Sequence, residues 1–217
     1  MVVDGTRLLI DTPPELRMQL VSQGVETLDA VLFTHDHADH VAGIDDLRAV
    51  SVRHGPLSVY GPEETLDRLR ARFGYIFDQA IEAPPGTSKP ELTAHSLVAG
   101  QTAMVAGVTV LPLELDHGGM RVFGYRFGPI AYCTDVKRIP AQTADALRGV
   151  DILILNALFD RPHPTHLSLD EAVSVARRVG ARQTWLTHLT HRFSHADLES
   201  RLPPDVRPAY DGLTLDF

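Results

Sequence analysis

The chain has 217 residues, 44% of them apolar and 22% charged, which is enough to bury a substantial core without covalent staples. Its 20 Lys and Arg against 28 Asp and Glu leave a net charge of -8, which argues against a basic nucleic-acid surface, and its single cysteine, Cys133, suits a reducing, cytoplasmic setting. No run approaches the roughly 20 apolar residues of a membrane span, the N-terminus lacks a signal-peptide pattern, and the eleven histidines are the one feature out of line.

In chain order, Val2-Val3, the turn signal Asp4-Gly5 and Arg7 to Ile10 predict an antiparallel hairpin. Thr12-Pro13-Pro14-Glu15 predicts a helix capped by Thr12 that ends near Gly24, with Leu16 and Leu20 facing the core. The apolar run Ala30 to Thr34 reads as a strand leading into His35. A helix fits Pro62 to Phe73, where Leu66, Leu69 and Phe73 repeat at helical spacing and Arg68, Arg70 and Arg72 occupy a solvated face. Gly74 to Glu91 holds four Pro or Gly residues after its first and shows no period; it reads as a surface loop, either a lid or an inert insertion.

Four further apolar runs follow. Val108 to Leu115 ends at Asp116-His117, Ile130 to Thr134 at Asp135, Asp151 to Leu155 at Asn156 and a loop holding His163 and His166, and Thr184 to Thr187 at His188. Between them, Ser168-Leu169-Asp170-Glu171 is a capping box that starts a helix running to Val179 and stopped by Gly180; Ser194 and Asp197 open a last short one. Strands alternating with helices predict an α/β fold, and the absence of repeats or composition breaks predicts a single domain over 1–217.

Five strands that each deliver a coordinating residue type at the same point in their course suggest one shared mouth, because loops leaving an α/β sheet collect ligands there. The densest cluster is Thr34-His35-Asp36-His37-Ala38-Asp39-His40. In extended chain His35 and His37 share a face, while a turn beyond Ala38 sends Asp39 and His40 to a neighbouring point, which makes room for two ions. Imidazole and carboxylate donors suit zinc, manganese or iron and need no thiolate.

The His-x-His-x-Asp-His signature, followed by His117, Asp135 and His188, resembles the metallo-β-lactamase fold, a four-layered αββα sandwich. His117-Gly118, Gly124-Tyr125, Tyr132 to Val136, His163 to Leu167, Thr187 to His191 and Tyr210-Asp211-Gly212 look most like its branch of phosphoribosyl 1,2-cyclic phosphate phosphodiesterases. Members of that branch usually begin with a glycine-rich strand, often followed by a cysteine cluster for a structural zinc; this chain starts beyond that point, so the expected fold lacks its first strand or strands. The resemblance implies that His35, His37 and His117 hold one divalent ion and Asp39, His40 and His188 a second, with Asp135 bridging. It also implies His166 as a proton donor near the substrate.

The function expected is therefore a dinuclear metal-dependent hydrolase, a phosphodiesterase acting on a small cyclic or nucleotide-like phosphate through a metal-bridging hydroxide. Its candidate catalytic residues are His166 and Asp39. The implied cofactors are two divalent ions, zinc or manganese with iron as a third fit, and the implied partner is a small anionic phosphate compound, with no membrane and no nucleic acid. The sequence leaves the oligomeric state open. Alternatives are a same-fold hydrolase of a thioester or lactam, an RNA 3′-processing endonuclease, or a non-catalytic metal-binding scaffold. Asp36 and Asp116 stand beside the expected ligands as candidates to orient them, and His54, His95 and His195 read as solvated.

Overall fold

The computed structural model describes residues 1–217, which form two compact units: Met1–Val98 with Met104–Val108, and Ala99–Ala103 with Thr109–Phe217. The first begins with β1 (Val2–Val3) and β2 (Thr6–Ile10), paired antiparallel about Asp4-Gly5 as the turn signal predicts. It continues through α1 (Leu16–Ser22), β3 (Ala30–Leu32), the single turn α2 (Ala38–Val41), a 3-10 turn at Ile44–Leu47, α3 (Arg48–His54), β4 (Leu57–Gly61), α4 (Glu63–Arg72), α5 (Gly74–Phe77) and β5 (Leu92–Ser96). Strands β2, β3, β4 and β5 run parallel in that order. Their common direction brings the end of β2 beside the end of β3, with Ile10 opposite Leu32, so Asp11 emerges next to the Thr34-to-His40 segment.

Two expectations for this unit need correction. Thr12 does not cap α1, which starts four residues later with no side-chain cap. Thr12 is fully buried, and its backbone N–H donates to the His40 carbonyl while its own carbonyl accepts from Gly43. A capping residue spent on a distant segment is lost to its own helix. Gly43 is fixed in this arrangement, because a Cβ there would lie 2.1 Å from the Pro13 carbonyl oxygen. The expected loop from Gly74 instead opens with the one-turn helix α5, whose Ile76 is fully buried. That residue joins a core of Leu16, Phe33, Ile44, Leu66 and Leu69, and burial of one large apolar side chain outweighs the weak helix propensity of Gly74.

The remaining elements are β6 (Ala103–Val105), β7 (Val108–His117), β8 (Met120–Phe127), β9 (Ile130–Cys133), α6 (Ala141–Ala146), β10 (Ile152–Asn156), α7 (Leu169–Val179), β11 (Gln183–Thr187), α8 (His195–Arg201) and β12 (Val206–Pro208). They form a sheet in the order β12-β11-β10-β9-β8-β7-β6. Strands β9 to β12 are mutually parallel, and β8 is antiparallel to both β7 and β9. Two antiparallel steps restore direction. The C-terminal ends of β7, β9, β10 and β11 therefore lie on one edge and deliver His117, Asp135, the 157–167 loop and His188 together.

Helix α7 shows how local sequence fixes this unit. Ser168 accepts from the Glu171 N–H and Glu171 accepts from the Ser168 N–H, closing the box predicted from their spacing. Gly180 ends the helix at φ 72°, a left-handed conformation that costs glycine nothing. Leu169, Ala172, Val175 and Ala176 face a core shared with Leu153, Leu155 and Leu186. Burial pushes the Glu171 carboxyl up, but bonds from Lys137 at 2.8 and 2.9 Å and from Ser168 outweigh it and leave it below its ordinary value. No helix is long and apolar enough to cross a membrane.

Replacing Ser168 with Ala removes the acceptor for the Glu171 N–H. This should lower unfolding stability by about 1 kcal/mol, read as a shifted denaturant midpoint at unchanged slope.

Candidate functional site

In the first unit the donors are built around a residue that the sequence reading passed over. Asp11 is buried and holds a left-handed φ of 58°, a conformation Asp tolerates better than most residues. Its carboxylate accepts from the Thr34 N–H at 2.8 Å, the Thr34 hydroxyl at 2.7 Å and His40 Nδ1 at 2.7 Å. Burial pushes its carboxyl above the ordinary value, opposed by the bonds from His40 and Thr34. A lone Asp between an apolar run and Thr-Pro-Pro looks like turn chemistry; only the register of β2 against β3 reveals its role.

These bonds decide where the ring protons sit. A carboxylate can only accept, so His40 carries its proton on Nδ1 and leaves Nε2 unprotonated. The Thr34 hydroxyl gives its hydrogen to Asp11 and so accepts from His35 Nδ1, 2.9 Å away, which likewise leaves His35 Nε2 unprotonated. That atom lies 3.1 Å from His37 Nδ1. Two nitrogens each about 2.0–2.1 Å from one ion, at roughly 100°, would stand about 3.1 Å apart. Asp39 is exposed at the start of α2, its Oδ2 3.6 Å from His40 Nε2. The four predicted donors of this unit thus lie together, and the proton arrangement fits a divalent cation.

Asp36, a candidate orienting carboxylate, is bound by two arginines of α4. Arg68 donates to its Oδ1 at 2.9 Å and Arg72 to its backbone carbonyl at 2.6 Å. Arg68 and Arg72 are exposed on α4, as expected, and from there they also hold the loop between His35 and His37. Arg70 pairs with Glu63 and Asp67.

In the second unit three imidazoles converge on one buried carboxylate. Nε2 of His166, His188 and His117 lies 3.2, 3.4 and 3.9 Å from Oδ2 of Asp135, which is 1% exposed. Oδ1 accepts from the Thr134 hydroxyl at 2.6 Å, and the Asn156 side chain at the end of β10 accepts the Val136 N–H at 2.8 Å, pinning the turn that presents Asp135. His117 donates from Nδ1 to the Thr165 carbonyl at 2.7 Å, so its Nε2 is unprotonated. His188 projects from the end of β11 with φ 55°.

His166 is buried, with its ring stacked 4.8 Å from His188 and Nδ1 2.8 Å from the Thr165 hydroxyl. His163 is one step further out, 5.2 Å from the His166 ring, its pKa lowered by burial and by His166, Lys137 and Arg161. Asp116 has a structural role instead of an orienting one: it accepts the Gly119 N–H in the β7–β8 turn and faces Arg138. Cys133 is buried, as its apolar run predicts, and burial pushes its thiol up to about 12.

The domain described as "Beta-lactamase superfamily domain" matches residues 6–189. An octanoyltransferase of Porphyromonas gingivalis is 37% identical over 214 residues, which are 96% of this chain but 42% of that protein, so the chain spans less than half the length of this relative. A ribonuclease Z of Methanopyrus kandleri is 48% identical over 263 residues, covering 96% of this chain and 87% of that enzyme. Among solved structures, a diphosphatase from the PhnP family matches with a TM-score of 0.89 and 36% identity, covering 99% of this chain and 81% of that one. A matched span that begins before Asp11 and ends just after His188 takes in every donor described above, and the chain belongs to the β-lactamase superfamily.

Proposed function

We propose that residues 1–217 act as one catalytic domain, a dinuclear metal-dependent phosphodiesterase for small cyclic or nucleotide-like phosphates. On the resemblance read from the sequence, His35, His37 and His117 would hold one ion and Asp39, His40 and His188 the other, with Asp135 serving both. The observation that carries the reading is Asp135. A buried carboxylate surrounded by three imidazole Nε2 atoms is costly to maintain, and a shared cation is what such a group suits. The similarity to a diphosphatase and to a ribonuclease, both names for hydrolysis at phosphorus, supports the choice of a phosphate substrate.

Zinc or manganese fits these nitrogen and oxygen donors, with iron as a third choice, and when bound such a pair supplies an acidified water and neutralises charge on the phosphoryl group. The chain's own groups would do the rest. As an ionised acceptor, Asp135 sets the proton of His166 on Nε2, with the Thr165 hydroxyl donating to Nδ1. His166 is thereby held to pass that proton to the leaving oxygen. Asp39, exposed at the start of α2, would take a proton from the attacking water. A chain with a single buried thiol fits the cytoplasm.

The ribonuclease similarity favours a second reading, cleavage of RNA 3′ ends. Against it, the insertion from Gly74 to Glu91 carries Asp78, Glu82 and Glu91 with Lys89 as its one cation, the wrong sign for gripping a phosphate backbone. Salt-sensitive tRNA binding together with tRNA cleavage would favour the RNA substrate.

The direct test is hydrolysis of bis(p-nitrophenyl) phosphate by protein loaded with zinc, manganese or iron, with metal content measured in parallel. Turnover with about two equivalents bound is the expected result; none with any of the three ions sinks the proposal. Asp135→Ala should lose at least one equivalent and nearly all turnover. Asp11→Asn should retain the fold but weaken metal affinity by about 10–100-fold, seen by competition with a chromogenic chelator. For His166→Gln, metal content should hold while kcat on an alkyl phosphodiester falls by about 10²–10⁴, with a much smaller loss for a nitrophenolate ester, whose leaving group needs no proton.

A further inference from the structure

Asp135 and His166 meet as the first of three successive rungs between segments that lie 31 residues apart in sequence. On the first rung Asp135 Oδ2 and His166 Nε2 are 3.2 Å apart. On the second, one residue along each segment, the Leu167 N–H donates to the Val136 carbonyl at 3.0 Å. On the third, Lys137 and Ser168 meet on a single carboxylate: Glu171 accepts from Lys137 Nζ at 2.8 and 2.9 Å and from the Ser168 N–H at 2.8 Å. The Lys137 side chain is only 15% exposed.

The lysine is surplus to the helix, because Ser168 and Glu171 close the capping box of α7 by themselves. What it adds is a second fixed point. Two segments joined by one backbone hydrogen bond can pivot about it, and a pivot at Val136 and Leu167 changes the distance one residue away, between Asp135 and His166. A partly buried, charge-assisted contact on the far side of the pivot removes that freedom. The bonds from the Leu158 N–H to the Leu167 carbonyl and from the Leu169 N–H to the Phe159 carbonyl do not replace it, since they tie the His166 segment to the loop after β10 and not to the Asp135 turn.

We propose that Lys137 and Glu171 are positioning residues for protonation of the leaving group: their ion pair holds His166 against Asp135, acting through the two segments and not on the substrate. This deepens the phosphodiesterase reading and rests on it, because the proton kept in place is the one that His166 passes to the leaving oxygen.

The test uses K137M, which leaves the capping box intact, E171Q, whose amide oxygen still closes that box, the double variant and K137R. The two single changes remove charges of opposite sign, so an effect of the electric field alone would differ in sign between them, whereas lost positioning acts in one direction. In metal-loaded protein both should lower kcat on an alkyl phosphodiester by about 10–100-fold and leave bis(p-nitrophenyl) phosphate turnover within about twofold of wild type. The double variant should be no worse than either single one, and K137R should recover most of the loss. A readout without turnover is the imidazole N–H resonance of His166 in ¹⁵N-labelled, metal-free protein, identified by its loss in His166→Gln. It should be present in wild type and K137R and lost to exchange with water in K137M and E171Q. Equal losses on the two esters, opposite effects of K137M and E171Q, or an N–H signal that both variants keep or wild type lacks, overturns the positioning pair. If wild type turns over neither ester, the phosphodiesterase reading falls instead, and the N–H signal still decides whether the pair positions His166.

Discussion

Every histidine donor whose proton can be placed depends on one constraint: an oxygen acceptor takes the hydrogen of Nδ1, so that Nε2 faces inward as a base. For His40 the acceptor is Asp11, for His35 it is Thr34 acting under Asp11, and for His117 it is the Thr165 carbonyl. Imidazole free to choose its tautomer would spend part of its time presenting an N–H to a cation. Committing the proton in advance removes that loss, and it does so with groups fixed by strand ends. Asp11 is the most economical of these acceptors, because one carboxylate orders two histidines, and it can do so only because β2 and β3 run parallel with their ends level.

The same argument explains why the arrangement tolerates so much buried polarity. Asp11, Thr34, His35, His40, His117, Asp135 and His166 are all buried. Each is hydrogen-bonded, and removing one partner would leave the others to bear an uncompensated polar group in a dry setting. Networks of this kind rigidify a site, which is what catalysis by positioning requires. The left-handed backbone at Asp11 and His188 belongs to the same picture: two non-glycine residues hold uncommon conformations at the points where a strand must turn sharply to aim a side chain.

Much of this was legible in the residues themselves. The Asp4-Gly5 hairpin, the Ser168-to-Glu171 capping box with its Gly180 stop, and the strands ending at His35, His117, Asp135 and His188 all follow from local rules, because each is decided within a few residues. What was not legible is long-range. Thr12 reads as a helix cap until the His40 carbonyl claims its N–H, and the solvated face of Arg68 and Arg72 gives no sign of their bonds to the loop holding Asp36. Gly74 to Phe77 lacks a helical signature, since what folds it is the pocket that accepts Ile76. Asp11 left no pattern at all. Its meaning is a register, and a register is a property of two strands.

Cys133 ends β9 two residues before Asp135, fully buried, with its thiol held as the neutral form by the loss of hydration. A thiolate there would attract soft ions such as copper(I) or cadmium and would invite peroxide attack beside the key carboxylate. Keeping the sulfur dry and protonated leaves an all nitrogen-and-oxygen donor set for hard and borderline cations to compete over. It also means that thiol-directed alkylating agents meet no reactive cysteine on this chain, and that the sulfur open to oxidants is that of the exposed Met18 and Met104.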